Sequence, residues 1–204
     1  MSVHEDQKVM TSGKNLEEAD RAVIMIHGRG ASAGSVLRLS DNLPDAAYLA
    51  PQAANHTWYP QSFMQPKSDN QPDLDSALEK VGSVIEKANQ FLPREKIVLL
   101  GFSQGACLTS EYAASNPEKF GGLIVFSGGL IGDQIGDFEG YLEETNTFIG
   151  CSENDPHIPL ERVEETEEVF EKLNADVRKS IYEGSQHTIN QDEIREAKEI
   201  IKEV

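Results

Sequence analysis

Two hydrophobic patterns alternate along the chain. Short runs with little polar interruption occupy residues 22–26, 46–50, 97–102, 123–127, 147–150 and 177–182. They have the length of strands, and the most apolar of them read as strands buried on both faces. Between them, apolar residues recur at helical spacing near 35–42 and over 74–91, 104–115, 160–173 and 191–202. Residues 9–12 add a candidate edge strand, and 51–72 form a long irregular segment. This order predicts an α/β fold, a mainly parallel sheet flanked by helices on both faces. No repeat or linker divides it, so residues 1–204 are expected to form one domain. The stretch 128–146 is too short for a cap domain.

The junction at residues 97–106, IVLLGFSQGA, changes this outline most. A buried strand runs into Gly101-Phe102-Ser103-Gln104-Gly105, and a helix follows at once. A serine on such a turn needs small neighbours because the backbone is sharply bent and closely packed. Gly101 and Gly105 supply them, leaving the Ser103 hydroxyl at the carboxyl edge of the sheet.

A serine hydroxyl is a weak nucleophile until a base takes its proton. His4 belongs to the N-terminal tail, His56 to the long loop, and His157 follows Pro156. His187 is the favoured base because it directly follows the last predicted strand, and functional groups of parallel sheets gather outside the carboxyl ends of strands. Its orienting carboxylate is expected after residue 150, in Cys151-Ser152-Glu153-Asn154-Asp155-Pro156. Asp155 is preferred and Glu153 is the neighbouring competitor. The order Ser103, Asp155, His187 is the one found in α/β-hydrolases.

A tetrahedral oxyanion also needs amide donors. The Gln104 N–H after the serine is one. The turn His27-Gly28-Arg29-Gly30 offers the Arg29 N–H as the other, with His27 as a strut. That turn also fits G-x-G-x-x-A, but a dinucleotide site wants an acid at the end of the next strand, and none occurs between Leu49 and Gln52. The Arg29 side chain has two readings: pairing with a polar or carboxylate-bearing substrate, or a salt bridge that braces the turn. Trp58, Tyr59, Phe63 and Met64 are expected either to wall the substrate pocket or to fold into a surface loop.

Together, HGRG, GFSQGA, the late aspartate and the late histidine resemble the phospholipase/carboxylesterase family, a compact serine-hydrolase branch that includes bacterial carboxylesterases and acyl-protein thioesterases. The resemblance implies Ser103, Asp155 and His187 as nucleophile, acid and base, Arg29 and Gln104 as oxyanion donors, and no metal or organic cofactor. It implies hydrolysis of small carboxylic esters, with thioesters or lysophospholipids as related substrates. Arg29 stands where thioesterase members usually carry an apolar residue. A binding protein that keeps the shell without the chemistry is the competing class.

The balance of 18 basic against 35 acidic residues, a net charge of −17, makes nucleic acid and anionic membranes poor partners. No apolar run reaches membrane-spanning length, the first residues lack a signal-peptide layout, and the two cysteines have no metal spacing. A cytoplasmic protein acting on a small-molecule ester is the expectation, with a homodimer left open.

Overall fold

The computed structural model describes residues 3–204. Its centre is a seven-stranded sheet of β1 (Val9–Gly13), β2 (Ala22–Ile26), β3 (Ala47–Pro51), β4 (Ile97–Phe102), β5 (Gly122–Phe126), β6 (Asn146–Ser152) and β7 (Asp176–Tyr182). The spatial order is β1-β3-β2-β4-β5-β6-β7. Only β1 is antiparallel, pairing with β3 at the edge. The sheet continues in parallel from β3 through β2, β4, β5 and β6 to β7.

The central strands β2 to β5 are apolar and buried because both faces are covered, whereas the edge strands β1 and β7 are mixed. Along β4, Ile97 and Leu99 enter the core beneath helices α2 (Asp73–Asn89), α3 (Gln104–Ser115) and α4 (Leu160–Lys172). Val98 and Leu100 face the opposite core, under α1 (Ala33–Leu37) and α5 (Gln191–Glu203). This alternation follows from the two-residue period of a strand.

The helix expected at 35–42 is shorter than the pattern suggested. Ser32 caps α1 in a reciprocal box with Ser35, and the chain tightens into a 3-10 turn over Arg38–Asn42. The 128–146 connection contains no helix.

Two glycines seat α3 at the carboxyl end of the sheet. A Cβ on Gly105 would collide with the Ile26 carbonyl, and one on Gly101 with the Gly105 backbone. The first turn of α3 thus lies directly on the end of β2. Gly105→Ala should lower the unfolding free energy by about 1–3 kcal/mol, the typical range for forced overpacking. Gly34→Ala in α1 meets its nearest atom, Met10 Cε, at 3.4 Å and should stay within about 0.5 kcal/mol. Urea titration of the two variants checks the contrast.

Candidate active site

Ser103 occupies the turn between β4 and α3 with φ 56° and ψ −122°, a conformation that L residues rarely adopt. Its N–H donates to the Phe126 carbonyl of the adjacent strand (2.9 Å), and its carbonyl accepts from the Cys107 N–H (3.0 Å). The strained backbone is therefore held from both sides.

The Ser103 hydroxyl lies 2.8 Å from His187 Nε2, and His187 Nδ1 lies 2.7 Å from Asp155 Oδ2. Asp155 is fully covered, and its other oxygen accepts from the His157 and Ile158 amides at 2.8 and 3.1 Å. Burial alone would raise this carboxyl, but the hydrogen bonds from His187 and the two amides outweigh it and hold Asp155 below the usual range. A carboxylate facing Nδ1 requires the proton there, which assigns Nε2 as the acceptor for the Ser103 hydroxyl. Glu153, the competing acid, is exposed, and its amide instead donates to the Tyr182 carbonyl.

The loop carrying His187 is tied down at several points. Ser152 Oγ donates to the Gln186 carbonyl (2.6 Å), and the Asn154 amide to that of Gly184 (3.0 Å). The rings of Phe102 and His157 pack against the imidazole at 5.0 and 4.8 Å. His157 had no distinguishing signal in sequence beyond its place two residues after the acid.

Facing the elbow is the turn after β2, where a Cβ on Gly28 would sit 3.3 Å from that of Ser103. The Gly30 and Ala31 amides donate to the His56 and Gly28 carbonyls, closing a turn whose bonds do not use the Arg29 amide. The Gln104 N–H belongs to the first turn of α3, where amides lack intrahelical acceptors.

Neither reading of the Arg29 side chain describes the geometry fully. Its guanidinium meets no acid and donates to the carbonyls of Pro60 (2.9 Å), Tyr59 (2.9 Å) and Gln61 (2.6 Å). The Gln104 side chain grips the same segment, accepting from the Trp58 amide (2.9 Å) and donating to the Tyr59 carbonyl (2.8 Å). His27 is the strut expected: its Nδ1 donates to the Gly28 carbonyl (2.8 Å), and its Nε2 accepts from the Ala53 amide (3.1 Å). Burial lowers its pKa, in keeping with a neutral ring.

A cavity of about 490 Å³ opens beside Ser103 and His187. Tyr59 and Phe63 line it, as expected, together with Cys107 and Ile158. Cys107 lies one helical turn beyond Ser103 and so shares its face; burial pushes its thiol up to about 12. Two expectations are corrected. Trp58 is fully buried behind the wall, where its indole N–H donates to the His27 carbonyl (2.8 Å). Met64 lies outside the cavity lining and packs against the main core. His4 is also no part of a loose tail. It is buried, accepting from the Ala54 amide (3.0 Å) and donating to the Trp58 carbonyl (2.9 Å).

A mainly parallel sheet with this strand order, a strained serine after β4, and an aspartate and a histidine from the loops after β6 and β7 define an α/β-hydrolase fold. The sequence profile of the Phospholipase/Carboxylesterase family matches residues 6–204, and the chain belongs to that family. A phospholipase/carboxylesterase from Dyadobacter fermentans is 43% identical, with 99% of each chain covered and a TM-score of 0.94. Acyl-protein thioesterase 1 of Debaryomyces hansenii is 26% identical over 91% of this chain and 92% of its own length. That of Candida albicans is 30% identical over 59% of this chain, a match spanning only 55% of the fungal protein. Among the described residues, no helix is long and apolar enough to cross a membrane.

Behind the acid lies a second carboxyl. Glu193, in the first turn of α5, is 1% exposed; its Oε2 accepts from the Asn190 amide (2.7 Å), and Oε1 finds no partner among the described residues. A side chain at residue 150 would occupy the space of this carboxyl, and Gly150 leaves it free. Burial, aided by the charges of Asp192 and Asp155 and opposed by the Asn190 amide, raises its pKa to about 7. A carboxyl raised on folding holds its proton longer than the unfolded chain does. Its stabilising contribution is thus full below the ordinary value of 4.5 and is lost as pH rises towards 7. Glu193→Gln should remove this loss, so that relative to wild type it gains on the order of 3 kcal/mol between pH 4.5 and 8. Urea melts of both proteins across that range give the difference curve.

Proposed function

We propose that the chain hydrolyses small carboxylic esters, with thioesters as close alternatives, through an acyl-serine intermediate. The observation that carries this reading is the unbroken hydrogen-bond relay from Ser103 through His187 to the covered carboxylate of Asp155.

In this scheme, Ser103 Oγ attacks the ester carbonyl carbon while His187 Nε2 takes the hydroxyl proton. Asp155 fixes the tautomer and stabilises the imidazolium. The negative charge on the carbonyl oxygen is received by the Arg29 and Gln104 amides, reinforced by the N-terminus of α3. Collapse breaks the bond to the alcohol, which leaves with the proton from His187. Water then repeats the sequence on the acyl-serine, releasing the carboxylic acid and the free hydroxyl. Only side chains and backbone amides of the chain are used.

The carboxylesterase and thioesterase relatives support the reaction class, and the cavity supports a small substrate. Its apolar lining residues, among them Phe63, Cys107 and Ile158, suit a short acyl group. Free, buried Cys107 and Cys151 accord with a cytoplasmic setting.

Ser103→Ala should cut p-nitrophenyl acetate turnover by roughly 10⁴-fold or more and abolish labelling by a fluorophosphonate probe. A variant that kept a tenth of the activity would rule out this nucleophile. Asp155→Asn should also be severe, by roughly 10⁴-fold, because it disturbs the tautomer. Glu153→Gln should stay within a few-fold of wild type in the same assay. Equal losses at 153 and 155 would reject the acid assignment.

A further inference from the structure

The charge of the cavity is unlike that of the protein. Of 35 acidic residues, none lines it; Asp155, the nearest in role, is covered by His187. Arg29 does line it, beside Ser103, and is exposed there. Within a chain of net charge −17, the one place where an ester would bind is walled by an arginine and free of carboxylates.

Arg29, which also lies over the Tyr59 ring (6.0 Å to its centroid), meets no counter-charge among the described residues. Its three hydrogen bonds all end on neutral carbonyls, and it enters no ion pair among the described residues. A guanidinium has five N–H donors. The carbonyls of Tyr59, Pro60 and Gln61 take both hydrogens of Nη2 and one of Nη1, which leaves Nε–H and the second Nη1–H. The three bonds hold the planar group still, so binding an anion costs little further ordering of this long side chain.

From this geometry we infer that the substrate carries a carboxylate near its ester group, and that the Arg29 side chain binds it. The inference rests on the esterase reading and adds the substrate class. One residue then serves through two parts: its amide faces the developing oxyanion, and its guanidinium holds a charge one side chain's length away. The spacer between carboxylate and ester is therefore short. The same group could belong to the acyl side or to the alcohol side, and both place an anion beside the same cation. The long-range field of the protein repels any anion, so selectivity comes from the close pair, which salt screens less than the distant charges.

The test uses the full chain and two matched pairs of esters. Monomethyl succinate against methyl butanoate places the carboxylate on the acyl side, and acetoxyacetate against ethyl acetate places it on the alcohol side. In at least one pair the charged ester should be favoured by about tenfold or more in kcat/KM, mainly through a lower KM, as a charge-assisted hydrogen bond would give. Arg29→Met should bring that ratio to about one, whatever it does to the neutral ester, and Arg29→Lys should restore part of it. If Arg29→Met fails to fold, Arg29→Lys and the wild-type ratios still decide the matter. Equal use of charged and neutral esters by the wild type would overturn the inference while leaving the esterase reading intact. A charged-ester preference that survived in Arg29→Met would also overturn it. Hydrolysis of none of the four esters, with no fluorophosphonate labelling of Ser103, would overturn both.

Discussion

Everything at the carboxyl edge of the sheet depends on how closely α3 approaches the end of β2. Where Gly105 lies on the Ile26 carbonyl there is no room for a single methyl group. That approach sets the Ser103 turn opposite the turn at Gly28. The chain accepts an unfavourable backbone at Ser103 to achieve it and holds that backbone with hydrogen bonds to β5 and within α3. Strain at this residue is sustained by the surrounding packing, as expected where a conformation is over-determined.

A second layer of organisation is polar. The Arg29 and Gln104 side chains reach the segment that carries Trp58, Tyr59 and Pro60 through hydrogen bonds to its backbone groups, and the His27 carbonyl accepts from the Trp58 indole N–H. This segment of the cavity wall has no regular secondary structure beyond short turns, so these bonds supply the order that a helix or strand would otherwise give. Side chains that would be read as chemical groups from their position are thus also the fasteners of an irregular loop. A side chain can brace in this way while its own backbone amide stays out of the turn's hydrogen bonds, as that of Arg29 does.

The strand runs and the 97–106 junction were legible because both rest on local rules: burial of a parallel strand and the need for small residues at a tight turn. Asp155 could be separated from Glu153 only by preference, since two residues in one loop share every local signal. The structure separates them by burial and by the amides of His157 and Ile158. Trp58 and Met64 were misread because an irregular segment has no period to tell inward from outward positions. His4 was misread for a related reason: a polar residue ahead of the first strand reads as solvent-facing until its partners, 50 and 54 residues away, are known. The bracing by Arg29 was likewise invisible, because its acceptors are main-chain carbonyls that every residue possesses.

Trp58 is the only tryptophan in the chain, and it sits wholly out of solvent between the rings of His4 and His27. Its indole N–H is fixed to the very turn that faces the serine. The intrinsic fluorescence of this protein is therefore a local instrument rather than a global average. Its emission maximum reports whether the loop behind the cavity is closed, and a red shift that precedes the far-ultraviolet signal would time the loosening of that loop apart from the collapse of the sheet.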